Sequence, residues 1–301
     1  MSAKFLLVKN KIEKFRKIIK VDGDKSISIR WLLIASQAIG VSRAKNLLKS
    51  EDVLNTIKCL KELGVKISFS NNNCDLQGRG INGFKYKKNI TLNAGNSGTA
   101  GRLILALLLK TPYKIKIIGD KSLSRRDFSR VIEPLEKIGA KFYPLGRKKL
   151  PISIIGSNYL RPITYYENKA SAQCKTCVML ASLNTPGEMK IFAKRSRNHT
   201  ELMFNDLNIP IKVKSRKNID IIKTSSPDRL NGFNLNIPGD ISSAAFFIAL
   251  TLLSKDSKLV LKNINLNPTR SGVLKILNKM GANIKVKKIK SINGENCGDI
   301  I

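Results

Sequence analysis

Leu60-Lys61-Glu62-Leu63-Gly64-Val65-Lys66-Ile67 joins the end of a helix to the start of a strand. Leu60 and Leu63 stand three apart on one helix face, and Gly64 is a residue that takes the left-handed backbone conformation just past a helix end. A strand is expected to follow. The pattern returns as Leu135-Glu136-Lys137-Ile138-Gly139-Ala140-Lys141-Phe142, as Leu277-Asn278-Lys279-Met280-Gly281-Ala282-Asn283-Ile284 and, more weakly, as Phe204-Asn205-Asp206-Leu207-Asn208-Ile209-Pro210-Ile211. The stop positions 64, 139, 208 and 281 lie 75, 69 and 73 residues apart, a period that marks a repeated structural module.

A second series keeps the same period: Ser26, Ser97, Ser171 and Ser242, at intervals of 71, 74 and 71 residues. Each serine is expected to cap a helix and leave its first amides open. These helices run through Trp31-Leu32-Leu33-Ile34, Leu103-Ile104-Leu105-Ala106-Leu107, Val178-Met179-Leu180-Ala181 and Phe246-Phe247-Ile248-Ala249-Leu250. They are apolar nearly all round, which predicts burial. The later helix of each module is amphipathic instead, with Val53, Ile57, Leu60 and Leu63 on one face. Strand-like stretches such as 114–118 and 258–261 fill the gaps. The chain is thus α/β, a repeat of strand, buried helix, strand, amphipathic helix and strand.

At 301 residues and 42% hydrophobic content the chain is long enough for two domains or one large one. Its 55 basic and 21 acidic residues give a formal charge of +34. That suits nucleic acid, an anionic membrane surface or small anionic substrates, and compositional bias produces it equally well. The basic clusters 85–88, 147–149 and 285–288 are short and separate, and Tyr86 is their one aromatic residue. They read as solvated edges, so no nucleic-acid partner is expected. The longest apolar runs are far too short to cross a bilayer, so no membrane role is expected either. Five cysteines at irregular spacing, with no secretory signal, predict free thiols in a reducing cytoplasm. Cys174-Lys175-Thr176-Cys177 has the spacing of half a zinc site without a second half, so no metal is expected. His199 is the only histidine; with no second element of a hydrolytic site in view, it is given a structural or substrate-edge role.

Each buried helix follows a polar turn: 22–26, 93–99, 168–171 and 238–242. Three of these carry glycine, which lets backbone amides approach a ligand at a helix start that favours anions. Gly23-Asp24-Lys25-Ser26-Ile27-Ser28 is echoed by Gly119-Asp120-Lys121-Ser122-Leu123-Ser124. Arg30 follows the first copy and Arg125-Arg126 the second. A lysine point charge with arginine forks suits phosphate and carboxylate together.

At these motifs the chain resembles the EPSP synthase (3-phosphoshikimate 1-carboxyvinyltransferase) family. The resemblance runs from about Val21 to the last residues, and its first two signatures are Gly23-Asp24-Lys25-Ser26-Ile27-Ser28-Ile29-Arg30 and Gly95-Asn96-Ser97-Gly98-Thr99-Ala100-Gly101-Arg102-Leu103. Segments 119–126, 171–173, 196–201, 238–245 and 267–270 follow in family order. The resemblance implies inside-out α/β domains built from βαβαββ modules. Residues 21–239 would form a first domain of three modules; residues 1–20 plus 240–301 would form an incomplete second one, with one of its three.

The resemblance also implies transfer of the enolpyruvyl group of phosphoenolpyruvate to the 5-hydroxyl of shikimate 3-phosphate, with no cofactor. Lys25 would touch both substrates, as the one catalytic candidate. Ser26, Arg30, Ser171, Ala172, Gln173, Ser196 and Arg197 would hold shikimate 3-phosphate. Gly98 and Arg126, with help from Gln173, would hold phosphoenolpyruvate. Asp22, Ile29 and Asp127 depart from the family's usual proline, histidine and proline beside these positions.

The family's acid-base carboxylates lie beyond Ile301. The chain is therefore expected to be a carboxy-terminally truncated member that turns over poorly alone and exposes apolar surface on its fourth module. A separately encoded remainder or an incomplete gene model would account for this. The alternative is a non-catalytic phosphate-ligand-binding remnant of the family. UDP-sugar enolpyruvyl transferases share the fold but lack support from the Asp-Lys-Ser and Ser-Ala-Gln segments, and a nucleic-acid binder rests on charge alone.

Overall fold

The computed structural model describes residue 7 and residues 12–301. In chain order β1 (Arg16–Ile19) leads to α1 (Lys25–Ala35), β2 (Ile39–Lys45), α2 (Glu51–Glu62), β3 (Lys66–Ser70) and β4 (Asn73–Arg79). Then come β5 (Thr91–Asn93), α3 (Gly98–Leu103) with a 3-10 turn over Ile104–Leu107, β6 (Ile115–Ile118), α4 (Lys121–Ser124), α5 (Ser129–Ile138), β7 (Lys141–Tyr143) and β8 (Ile152–Ile155). The third round is β9 (Thr164–Glu167), α6 (Ala172–Ser182), β10 (Met189–Lys194), α7 (His199–Asp206), β11 (Ile211–Arg216) and β12 (Ile219–Thr224). The last is β13 (Asn234–Asn236), α8 (Ile241–Leu253), β14 (Lys258–Asn265), α9 (Gly272–Lys279), β15 (Val286–Ile292) and β16 (Glu295–Ile300).

The described strands form four four-stranded sheets, ordered β13-β2-β4-β3, β5-β6-β8-β7, β9-β10-β12-β11 and β1-β14-β16-β15. In each, the first-named pair is parallel. The second- and third-named strands pair antiparallel. A parallel pair needs a long crossover, which α3 and α6 supply between β5 and β6 and between β9 and β10. The other two sheets exchange their first strands. β1 precedes α1 but pairs Ile18 with Val260 of β14, while β13 precedes α8 but pairs Leu235 with Ala44 of β2.

Contacts divide the chain into two compact units. The smaller takes the chain up to Asp22, Pro238–Ser291 and Asn296–Ile301; the larger takes Gly23–Ile237 and Ile292–Glu295. Of the expected second-domain segment 1–20, residues 1–6 and 8–11 lie outside the described residues.

In the larger unit the apolar helices are sunk in the core as their composition predicts. Ile27 to Ala35 of α1, Leu103 to Leu109 after α3 and Cys174 to Ser182 of α6 are buried. Trp31 sits edge-on to Phe233, with ring centroids 6.5 Å apart. On α2 the stripe Val53, Ile57, Leu60 and Leu63 is buried. The helix-stop residues Gly64, Asn208 and Gly281 take φ of 82°, 53° and 90°, the left-handed region that ends a helix, and Gly139 takes φ 135°.

Two expectations fail. Serine caps α3 and α6, where Ser97 and Ser171 accept from Ala100 N and Cys174 N. At α1 and α8, however, the caps are Asp24 and Asp240, which accept from Ile27 N at 3.0 Å and Ser242 N at 2.7 Å. Where an aspartate stands two residues ahead of the serine, its charged oxygen is the better acceptor at the positive end of a helix. Ser26 therefore lies within the first turn of α1. Nor is α8 a buried helix. Only Ile241, Ala244 and Ile248 are buried, while Phe246 is 80% and Leu253 84% exposed, leaving the open apolar face expected of the fourth module.

Candidate active site

Arg30 projects from α1 one turn after Ser26, and three helices meet on its guanidinium. Nη1 donates to Ser26 O at 3.0 Å, Nε to Thr200 Oγ1 of α7 at 2.8 Å and Nη2 to Thr176 Oγ1 of α6 at 3.1 Å. The two threonine hydroxyls bond each other at 2.7 Å. Burial draws Arg30 down to about 10; Glu201 and Asp24 oppose that fall and Arg197 adds to it. The group remains a cation at neutral pH. These three bonds use three of the five guanidinium N–H groups, so donor capacity is left for an anion. Ser196 and Arg197 stand just ahead of α7; Arg197 is exposed, and Ser196 Oγ is a buried hydroxyl with no partner among the described residues. A buried hydroxyl without a partner carries a desolvation cost that a bound acceptor would relieve.

A second cluster forms where α3 meets α6. Gln173 Nε2 donates to Thr99 Oγ1 at 2.8 Å, and Arg102 Nη1 donates to Gln173 Oε1 at 3.0 Å, so the amide is held at both ends. A Cβ on Gly98 would lie 3.1 Å from both Arg102 Nη1 and Arg126 Nη1. Glycine here leaves room between two guanidinium tips. Arg126 Nη2 also donates to Asn96 Oδ1 at 2.8 Å.

Arg102 was not among the residues singled out, although it lies inside the second signature. Its Nη2 is anchored by Asp127 O at 2.9 Å, and its guanidinium stacks over Phe128 at 4.9 Å. Burial lowers its pKa, Cys174 opposes that, and the like charges of Arg130 and Arg126 add to it. Asp127, one of the departures from the family pattern, still presents its carbonyl to Arg102, while its carboxylate binds Ser129 N and Oγ. Ile29, another departure, is wholly buried.

Lys25 is half-exposed, and its Nζ lies 3.2 Å from Asp52 Oδ2 of α2. Ser171 caps α6 while its own N–H is fixed by Glu167 Oε2 at 2.8 Å; Ala172 and Gln173 open that helix. Thus α6 joins the clusters, through Thr176 to Arg30 and through Gln173 to Thr99 and Arg102. Cys174 and Cys177 are buried on the same helix, Cys174 Sγ accepting from Ser171 Oγ at 3.1 Å. In the smaller unit the remaining family segments meet each other: Arg270 Nη2 reaches Asp240 Oδ1 at 3.1 Å and Ser242 Oγ at 2.7 Å. Helix-start amides, hydroxyls and guanidiniums so arranged suit anionic groups at two neighbouring places.

The family model described as EPSP synthase (3-phosphoshikimate 1-carboxyvinyltransferase) matches residues 9–297. A 3-phosphoshikimate 1-carboxyvinyltransferase of Streptococcus equi subsp. equi is 40% identical over 284 residues, covering 94% of this chain and 65% of the relative. One from Streptococcus pyogenes serotype M4 is 40% identical over 268 residues, covering 88% and 62%. A solved structure of EPSP synthase from Acinetobacter baumannii superposes with a TM-score of 0.87 at 34% identity, covering 96% of this chain and 64% of that one. The chain thus spans a little under two thirds of the length of the proteins it matches.

Proposed function

The chain belongs to the EPSP synthase family, and from that membership we propose that its larger unit holds shikimate 3-phosphate for transfer of the enolpyruvyl group from phosphoenolpyruvate. The observation that carries this reading is the Arg30 fork, which ties α1, α6 and α7 together and keeps donors in reserve, with the partnerless Ser196 hydroxyl four residues ahead of Thr200 in the chain. Shikimate 3-phosphate is assigned to Lys25, Ser26, Arg30, Ser171, Ala172, Gln173, Ser196 and Arg197. Phosphoenolpyruvate is assigned to Lys25, Gly98, Gln173 and Arg126.

In the reaction the 5-hydroxyl gives up its proton as its oxygen adds to C2 of phosphoenolpyruvate, and the methylene carbon takes a proton, giving a tetrahedral intermediate. The C–O bond to phosphate then breaks and the methyl group returns a proton, restoring the double bond in the ether product. Lys25 is assigned to both anions, where its charge would offset their repulsion and its ammonium would carry a proton. Positioned acid-base groups contribute about 10²- to 10⁴-fold each. Among the residues assigned to the two substrates Lys25 is the one proton carrier; the others offer guanidiniums, hydroxyls, an amide and backbone groups. The 301-residue chain is therefore expected to bind well and turn over poorly by itself. Its buried thiols suit a reducing cytoplasm.

Calorimetric titration with shikimate 3-phosphate, followed by a phosphate-release assay on adding phosphoenolpyruvate, tests the proposal. One-to-one binding with slow release is expected. Adding a polypeptide that corresponds to the last third of the streptococcal relative should then raise the rate. Binding that gives no release even with that addition would instead identify a non-catalytic phosphate-ligand binder. A folded sample that binds neither compound would refute both readings.

A further inference from the structure

His199, the first residue of α7, is 1% exposed, and its Nδ1 lies 2.6 Å from Oε1 of Glu295, itself 5% exposed. A carboxylate only accepts, so the Nδ1 proton is donated to Glu295. Glu295 opens β16 directly after the turn at 293–294, and residues Ile292–Glu295 cluster with the larger unit. The turn follows α7 along its length. Asn293 Nδ2 donates to Asp206 Oδ2 at 3.2 Å at one end of the helix. Gly294, at φ 78°, approaches so closely that a Cβ would stand 3.1 Å from Leu202 O. Glu295 then meets His199 at the other end.

The residues on either side of His199 belong to the site. Thr200 accepts from Arg30 Nε at 2.8 Å, and Ser196 and Arg197 immediately precede the helix. Glu295 is also among the carboxylates whose charge supports the buried Arg30 cation. A buried imidazole–carboxylate bond is rigid, because releasing it would leave two desolvated polar groups.

Resting on the reading above, we propose that Glu295 is a positioning residue for the shikimate 3-phosphate site. Through His199 it fixes the start of α7, and with it Ser196, Arg197 and the Thr200 acceptor of Arg30. Glu295 touches no reacting atom in this scheme; it sets the place of residues that hold the phosphate.

The test compares E295A, E295Q and, as a control at the far end of the same turn, N293A, in the full 301-residue chain. Two readouts are taken: the dissociation constant for shikimate 3-phosphate and the amide hydrogen exchange of residues 196–200. E295A is expected to weaken binding about tenfold, the scale of one hydrogen bond to a charged group. It should also speed exchange at 196–200 without speeding it in α3 or α6. E295Q, which keeps an acceptor, should recover most of the affinity, and N293A should leave both readouts near wild type. Affinity within twofold of wild type and unchanged exchange in E295A would overturn the proposal. If E295A does not fold, E295D, which draws the carboxylate back from His199 by one methylene, decides: at least threefold faster exchange at 196–200 supports positioning and unchanged exchange overturns it. Exchange needs no ligand, so a wild-type chain that fails to bind shikimate 3-phosphate defeats the functional reading while this proposal is still tested.

Discussion

Replacing Arg30 with methionine removes the guanidinium and keeps an unbranched apolar side chain in a site that is 3% exposed. Three donated bonds are lost, to Ser26 O, Thr176 Oγ1 and Thr200 Oγ1. No acceptor is stranded, because the threonine hydroxyls already bond each other at 2.7 Å and Ser26 O lies in the backbone ladder of α1. Glu201 keeps Lys175, whose Nζ lies 2.5 Å from Oε1. The folding cost should therefore stay near 1–3 kcal/mol, below the 3–5 kcal/mol typical when one partner of a buried pair is stripped away.

Binding should suffer more than folding. A single hydrogen bond from this cation to a phosphate oxygen is worth about 1.5–3 kcal/mol. At about 1.4 kcal/mol per decade that is a loss of about 10- to 150-fold in affinity for shikimate 3-phosphate. Arg30→Lys keeps the charge without the fork and should fall between the two. Calorimetry on both variants, with thermal melts to confirm folding, gives the numbers. A folded Arg30→Met protein that binds within threefold of wild type would refute the assignment of Arg30 to the phosphate.

Further outcomes follow from the same geometry. Gly98→Ala should fold normally, since the arginine tips 3.1 Å from the new methyl can give way by a few tenths of an ångström. It should weaken phosphoenolpyruvate about tenfold, the scale of one bond to a charged group, with far less effect on shikimate 3-phosphate; equal losses for both in separate titrations would contradict the division of the site. Burial pushes the Cys59 and Cys74 thiols up to about 12, and all five cysteines are buried. A thiol reagent at pH 8 should thus find essentially no reactive cysteine in the native chain and five after denaturation; fast stoichiometric labelling of the native protein would contradict this. The Lys262 ammonium, 2.8 Å away, and the Asn263 N–H hold the Asp299 carboxyl below its usual range. Because the folded value is the lower one, its stabilisation is present above the unfolded pKa of about 3.9 and is lost as pH falls through the folded value. Asp299→Asn should flatten that acid limb in urea melts taken between about pH 2 and 5, and an unchanged limb would show that the pair contributes nothing.

Local physics explains which parts of this were legible in the sequence. Gly64, Gly139, Asn208 and Gly281 mark helix ends because few other residues tolerate positive φ, and all four do adopt it. The buried helices were visible as apolar runs too dense for a one-sided stripe. The cap positions were misread at α1 and α8 because the serine series is in register, whereas aspartate two residues earlier competes for the same amides. The exchange of β1 and β13 was not visible, since strands of four and three residues carry no mark of their partners. Arg102 was readable only as part of a signature; its hold on Gln173 comes from α3 packing on α6. The Glu295–His199 bond joins residues 96 apart, and nothing local in either segment points to the other. Apolar composition predicted burial for α8 as for α1, but burial also requires a neighbour, and among the described residues Phe246 and Leu253 have little cover.

The most direct test of the central claim is a crystal structure of this chain with shikimate 3-phosphate bound. The phosphate should lie within hydrogen-bonding distance of Arg30, Ser171, Ser196 and Arg197, with Lys25 turned from Asp52 towards the ligand. Density for the compound away from the starts of α1, α6 and α7, or at that place without contact to any of these residues, would contradict it.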